Sequence, residues 1–116
     1  MTTLTHLRPD LTDKVVVVTG SSRGIGKAIA IACAQRGAAV VLNGRNQERL
    51  DSAKAAVEEH TPRVHVVCGD VSDPKEGRRL IEEAVATFGR LDLLVNNVGV
   101  SMRGAVADLQ PEVFQT

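Results

Sequence analysis

The residues best suited to chemistry in this chain form one short run, Thr19-Gly20-Ser21-Ser22-Arg23-Gly24-Ile25-Gly26. Glycines there let a tight turn bring bare backbone up to a ligand with no Cβ in the way. The run follows a dense β-branched stretch, Val15–Val18, and opens a segment of helical period. Amides at such a helix start face outward, where the helix dipole favours a pyrophosphate. A P-loop is the obvious competitor, and its spacing does not fit. Five residues separate Gly20 from Gly26-Lys27, one too many, and Ala28 replaces the Ser or Thr that would hold magnesium.

A second signal lies after the next apolar run. NAD sites carry an Asp or Glu about twenty residues beyond the glycines, where it accepts from the ribose hydroxyls. Here that place reads Asn43-Gly44-Arg45-Asn46, with no carboxylate. A carboxylate would repel a 2′-phosphate, whereas Arg45 would pair with it through two nitrogens. Arg23 reaches toward the same phosphate from the glycine turn. The expected cofactor is therefore NADP(H) rather than NAD(H), with Asn43 and Arg45 in its site.

Taken together, these residues resemble the short-chain dehydrogenases/reductases. Thr19-Gly20-x-x-x-Gly24-x-Gly26 is similar to that family's glycine motif, and Gly69-Asp70-Val71 to its adenine-contacting turn. Asn96-Asn97-Val98-Gly99 looks like its Asn-Asn-Ala-Gly motif with valine for alanine, and Leu91-Asp92-Leu93-Leu94-Val95 leads into it. The resemblance runs from Lys14 to Thr116. It implies that Ser21, Ser22, Arg23 and Ile25 line the phosphate and ribose side. Asp70 would accept from the adenine amino group beside Val71, and Asn96 and Gly99 would border the nicotinamide ribose. Asn97 and Val98 belong to the same turn. A hydride transfer between NADPH and a small carbonyl or alcohol substrate is implied, in a protein that is a homo-oligomer when complete.

The family's proton chemistry uses a Tyr-x-x-x-Lys helix, a serine ahead of it and an asparagine. The 116 residues contain no tyrosine. The expectation is thus a cofactor-binding portion, residues 14–116, truncated in the helix after the fourth strand, with no catalytic residue of its own and inactive alone. The alternatives are a catalytically dead nucleotide-binding or regulatory fragment, or a truncation without function. An open edge at Leu93-Leu94-Val95 would make such a fragment prone to associate.

The elements that must position these groups alternate as βαβαβαβ. Expected strands are Lys14–Thr19, Ala38–Asn43, Arg63–Cys68 and Leu91–Val95, after a polar leader over 1–13. Runs that are apolar without alternation belong to strands covered on both faces. The pattern predicts an α/β fold of Rossmann type, a doubly wound parallel sheet in three α/β/α layers. The resemblance supplies its strand order, 3-2-1-4. His65 interrupts the third run, which suits an edge strand. The first helix, Gly24–Arg36, is expected to bury Ile25, Ile29, Ala32 and Cys33. The second, capped by Asn46 and running to about His60, turns Leu50, Ala53 and Val57 inward. The third starts at Asp73-Pro74-x-Glu76, a cap with proline at the first helical position. It presents Leu80, Ile81, Ala84, Val85 and Phe88 and stops at Gly89.

Composition agrees with a soluble domain: 43% hydrophobic, 24% charged, with 14 basic and 14 acidic residues balancing to zero. No net field draws nucleic acid or an anionic membrane, and two aromatics (Phe88 and Phe114) make no stacking platform. The N-terminal residues lack the apolar core of a signal peptide, so the expected location is the cytoplasm. Cys33 and Cys68 fit no metal or redox motif, and no metal is expected.

Overall fold

The computed structural model describes residues 10–97. Val98 and Gly99, with the rest of the stretch after Asn97, lie outside the described residues, as does most of the expected leader. Four strands, β1 (Val15–Val18), β2 (Ala39–Gly44), β3 (Val64–Cys68) and β4 (Leu93–Val95), alternate with helices α1 (Gly24–Gln35), α2 (Gln47–Glu58) and α3 (Pro74–Phe88). The sheet is parallel throughout, in the order β3-β2-β1-β4.

The two central strands are buried along their whole length, as their unbroken apolar runs require. Alternate side chains feed two cores. Val16, Val18, Val40 and Leu42 pack with Ala30 and Ala34 of α1 and Leu50, Ala53 and Val57 of α2. Val15, Val17, Ala39 and Val41 pack on the other face with Val67 and with Leu80 and Ala84 of α3. Each fully buried Val or Leu contributes about 1.5–3 kcal/mol relative to exposure. At the edge, β3 is mostly half-buried. There His65 bonds Glu83 of α3 at 3.1 Å.

The face of α1 differs from the expected one. Gly26, Ala30 and Ala34 are its buried residues, and Ile25 is 72% exposed. Ile29 and Cys33 only flank the core. The cause is close approach: a Cβ on Gly26 would fall on the Gly20 carbonyl. The helix seats itself through its smallest residues, and bulk stays at the sides. In α3, Leu80 and Ala84 are buried as expected while Val85 is exposed.

The other helix ends follow their local chemistry. Asn46 Oδ1 accepts from the Arg49 amide (3.0 Å) and Asp73 Oδ1 from the Lys75 amide (2.9 Å), which satisfies a first-turn donor in each helix. Gly89 ends α3 in the left-handed conformation, φ 81°. Among the described residues no helix is long and apolar enough to cross a membrane.

Candidate cofactor-binding site

In a parallel sheet, all strands end on one side, and ligands sit in the crevice beyond those ends. Here the carboxyl ends of β1, β2 and β3 border one open cleft of about 690 Å³. Three of its walls come from Gly20, Ser22 and Arg23, from Asn43–Asn46 with Arg49, and from Gly69–Ser72.

The glycine turn begins the site. Gly20 and Gly24 have φ of 58° and 62°, the left-handed region that disfavours any side chain. At Gly24 a Cβ would meet nothing within 4 Å among the described residues. Helix α1 starts there without a side-chain cap, since Arg23 at its N-cap is extended and makes no capping bond. The capped α2 and α3 start differently. Among the described residues no side chain caps the first turn of α1.

Two of the expected site residues serve as framework. Ser21 and Asn43 are fully buried. The Ser21 hydroxyl donates to Val18 O (2.7 Å) and accepts from the Asn43 amide (2.9 Å). The Asn43 side-chain nitrogen donates to Val67 O (3.1 Å) and Gly69 O (3.2 Å). Asn43 thereby ties the end of β2 to the loop after β3.

The turn after β4 locks to the glycine turn in the same way. Thr19 Oγ1 donates to Asn96 Oδ1 (3.0 Å) and accepts from the Asn97 amide (2.8 Å). Asn97 Nδ2 donates to Gly20 O (3.2 Å). Both asparagines therefore brace the glycine turn.

Charge in the cleft is uneven. Arg23, Arg45 and Arg49 line it against one carboxylate, Asp70. Asp70 Oδ1 accepts from the Ser72 hydroxyl (2.7 Å) and amide (3.0 Å). Those bonds hold its carboxyl below the usual range, and the charge of Arg45 acts in the same direction. Val71 lies beside it in the cleft wall. Ile25 is exposed and lies outside that wall.

Arg49 and Ser72 line the cleft without having been singled out in the sequence, and Asn46, read there as a helix cap, lines it too. Arg49 did carry a signal. A cation in the first turn of a helix opposes the dipole, which makes sense where an anion is to be held. Among the described residues no group of three or more His, Cys, Asp or Glu could hold a metal ion.

Comparison with known proteins agrees with this architecture. The family model for short chain dehydrogenase matches residues 14–116. An uncharacterized oxidoreductase of Mycobacterium tuberculosis is 44% identical over 92 residues, 79% of this chain and 35% of that protein. The 11-beta-hydroxysteroid dehydrogenase 1A of Arabidopsis thaliana is 44% identical over 93 residues, 79% of this chain and 27% of its own length. The crystal structure of L-sorbose reductase from Gluconobacter frateurii, complexed with NADPH and L-sorbose, superposes with a TM-score of 0.74 at 41% identity. That match covers 78% of this chain and 36% of the reductase. The chain spans less than half the length of these relatives. With the glycine turn, the strand order and the family match in agreement, the chain belongs to the short-chain dehydrogenase family.

Proposed function

We propose that residues 14–116 form the NADP(H)-binding portion of an oxidoreductase that moves hydride between NADPH and a carbonyl or alcohol substrate. One observation carries the choice of cofactor: Arg23, Arg45 and Arg49 line a single cleft, and Asn43-Gly44-Arg45-Asn46 offers no carboxylate to the ribose. Bidentate guanidinium contacts suit a 2′-phosphate, while an acid there would repel it.

The residues present fit the cofactor. Gly20, Gly24 and Gly26 form a turn with no Cβ in the way, and the uncapped start of α1 supplies donors. That turn, with Ser22, would hold the pyrophosphate. Arg23, Arg45 and Arg49 would hold the extra phosphate, and Asp70 with Val71 the adenine. Ser21, Asn43 and Asn97 keep these walls in register, and Ile25, Asn96, Val98 and Gly99 would border the riboses. When bound, the nicotinamide supplies or receives the hydride.

The 116 residues include no tyrosine, so the accompanying proton transfer is assigned to none of them. A second reading is a module that holds NADP(H) without reacting it. The test is a fluorescence titration with NADPH and NADH. NADPH should bind about 10- to 100-fold more tightly, and Arg45→Asp should invert the order. A wild-type preference for NADH would refute the assignment. Reading the coding sequence past codon 116 then separates the two readings: an in-frame Tyr-x-x-x-Lys supports the oxidoreductase, and a stop codon supports the module.

A further inference from the structure

We propose that Arg79, which lies outside the cleft, is a positioning residue that fixes the Gly69–Ser72 wall through the Cys68 carbonyl. The inference rests on the cofactor reading above and extends it to the far face of the sheet.

The wall in question follows β3, the outer strand, so no further strand among the described residues steadies its far side. From the near side β2 holds it: Gly69 N donates to Gly44 O (2.9 Å) and Asn43 Nδ2 donates to Gly69 O (3.2 Å). From the far side Arg79 of α3 does so. Its Nη2 donates to Cys68 O at 2.5 Å and to Glu76 Oε1 at 3.2 Å, and its Nη1 to Glu83 Oε2 at 2.9 Å. One planar fork thus joins the last residue of β3 to two carboxylates on α3, one a turn before Arg79 and one a turn after it, which a lysine could not reproduce.

Gly69 shows how tightly this is built. A Cβ there would meet the Glu76 carboxylate and would lie 2.9 Å from Arg79 Nη2. The guanidinium therefore sits directly against the residue before Asp70. Glu83, which orients Arg79, is itself held by His65 Nε2 at 3.1 Å. These bonds are charge-assisted and among the stronger kind. Asp70 and Val71 have two supports, and only the β2 side lines the cleft.

The test uses the full chain, titrated with NADPH and with 2′,5′-ADP, and amide exchange at Gly69–Ser72 measured without ligand. Variants are Arg79→Met, Arg79→Lys and, as a control, Arg90→Met. Arg90 also makes a two-nitrogen ion pair, with Asp92, but away from the cleft. Arg79→Met should weaken both ligands about tenfold, the usual scale for a lost bond to a charged group. It should also speed exchange at Gly69 and Ser72. Arg79→Lys should recover part of both effects, and it carries the comparison if the Met variant does not fold. Arg90→Met should change neither. Unaltered affinity in Arg79→Met beside a normally binding wild type would overturn the positioning role alone. An equal loss in Arg90→Met would overturn it too, because general loosening would then account for the effect. A wild type that binds neither ligand would overturn the cofactor reading and this role together.

Discussion

Ser21 and Asn43 hold each other across the ends of β1 and β2. The Ser21 amide donates to the Asn43 carbonyl at 2.8 Å, and the Asn43 amide donates to the Ser21 hydroxyl at 2.9 Å. This reciprocal pair joins the glycine turn to the strand end that carries Arg45. It sits where no water reaches, since both residues are fully buried.

Ser21→Ala should therefore destabilise the fold. The Asn43 amide would lose its acceptor in a buried place, a cost of about 1–3 kcal/mol. Urea unfolding would show it as a lower midpoint with an unchanged slope. An unchanged midpoint would mean that another acceptor replaces the hydroxyl.

Gly26→Ala tests the seating of α1. Its Cβ would fall on the Gly20 carbonyl, and Asn97 Nδ2 lies 3.0 Å away. Neither the turn nor the helix can give way without moving β1. Overpacking of this kind costs about 1–3 kcal/mol, enough to lower the melting temperature of a domain this size by several degrees. Gly24→Ala meets no atom, and its effect should come only from strain at φ 62°. Comparing the two melting curves separates contact from conformation.

Much of this was legible in the sequence, for identifiable reasons. Val15–Val18 read as a doubly covered strand because its apolar run has no alternation, and Asp73-Pro74 and Gly89 marked α3 by their own backbone chemistry. The face of α1 was not legible. Periodicity follows bulk, whereas a helix pressed against a turn chooses its smallest residues, Gly26, Ala30 and Ala34. The divided duties of Ser21 and Asn43 were also hidden. Spacing brings a polar side chain near a site but does not say which backbone atoms it meets. Arg49 stayed out of view because its place in the cleft depends on how α2 leaves β2.

Arg49 makes a prediction of its own. If it shares an anionic ligand with Arg23 and Arg45, Arg49→Gln should weaken NADPH by about 3- to 10-fold and leave NADH nearly unchanged. The difference should shrink as salt rises, because exposed charges are screened over about 8–10 Å at physiological ionic strength. Equal losses for the two cofactors would instead assign Arg49 to parts that both share. The double variant Arg45→Asp with Arg49→Gln should favour NADH more than Arg45→Asp alone.

Acid should loosen the far end of the sheet through Asp92. Arg90 bonds its carboxylate through Nε and Nη2, both at 2.8 Å, and the Val15 amide donates to it at 2.9 Å. Those bonds, the Arg90 one foremost, lower its pKa in the folded state. A group lowered on folding stabilises the protein fully above its unfolded value, about 4 for an aspartate. That contribution disappears as pH falls through the lowered folded value. Unfolding midpoints should therefore be flat near neutrality and fall below about pH 4. In Asp92→Asn the midpoint should start lower at neutral pH and decline less steeply with acid, because Arg90 loses its ionic partner at every pH. Parallel acid limbs in the two proteins would move the linkage to other carboxylates lowered in the fold, such as Glu83, which His65 and Arg79 hold.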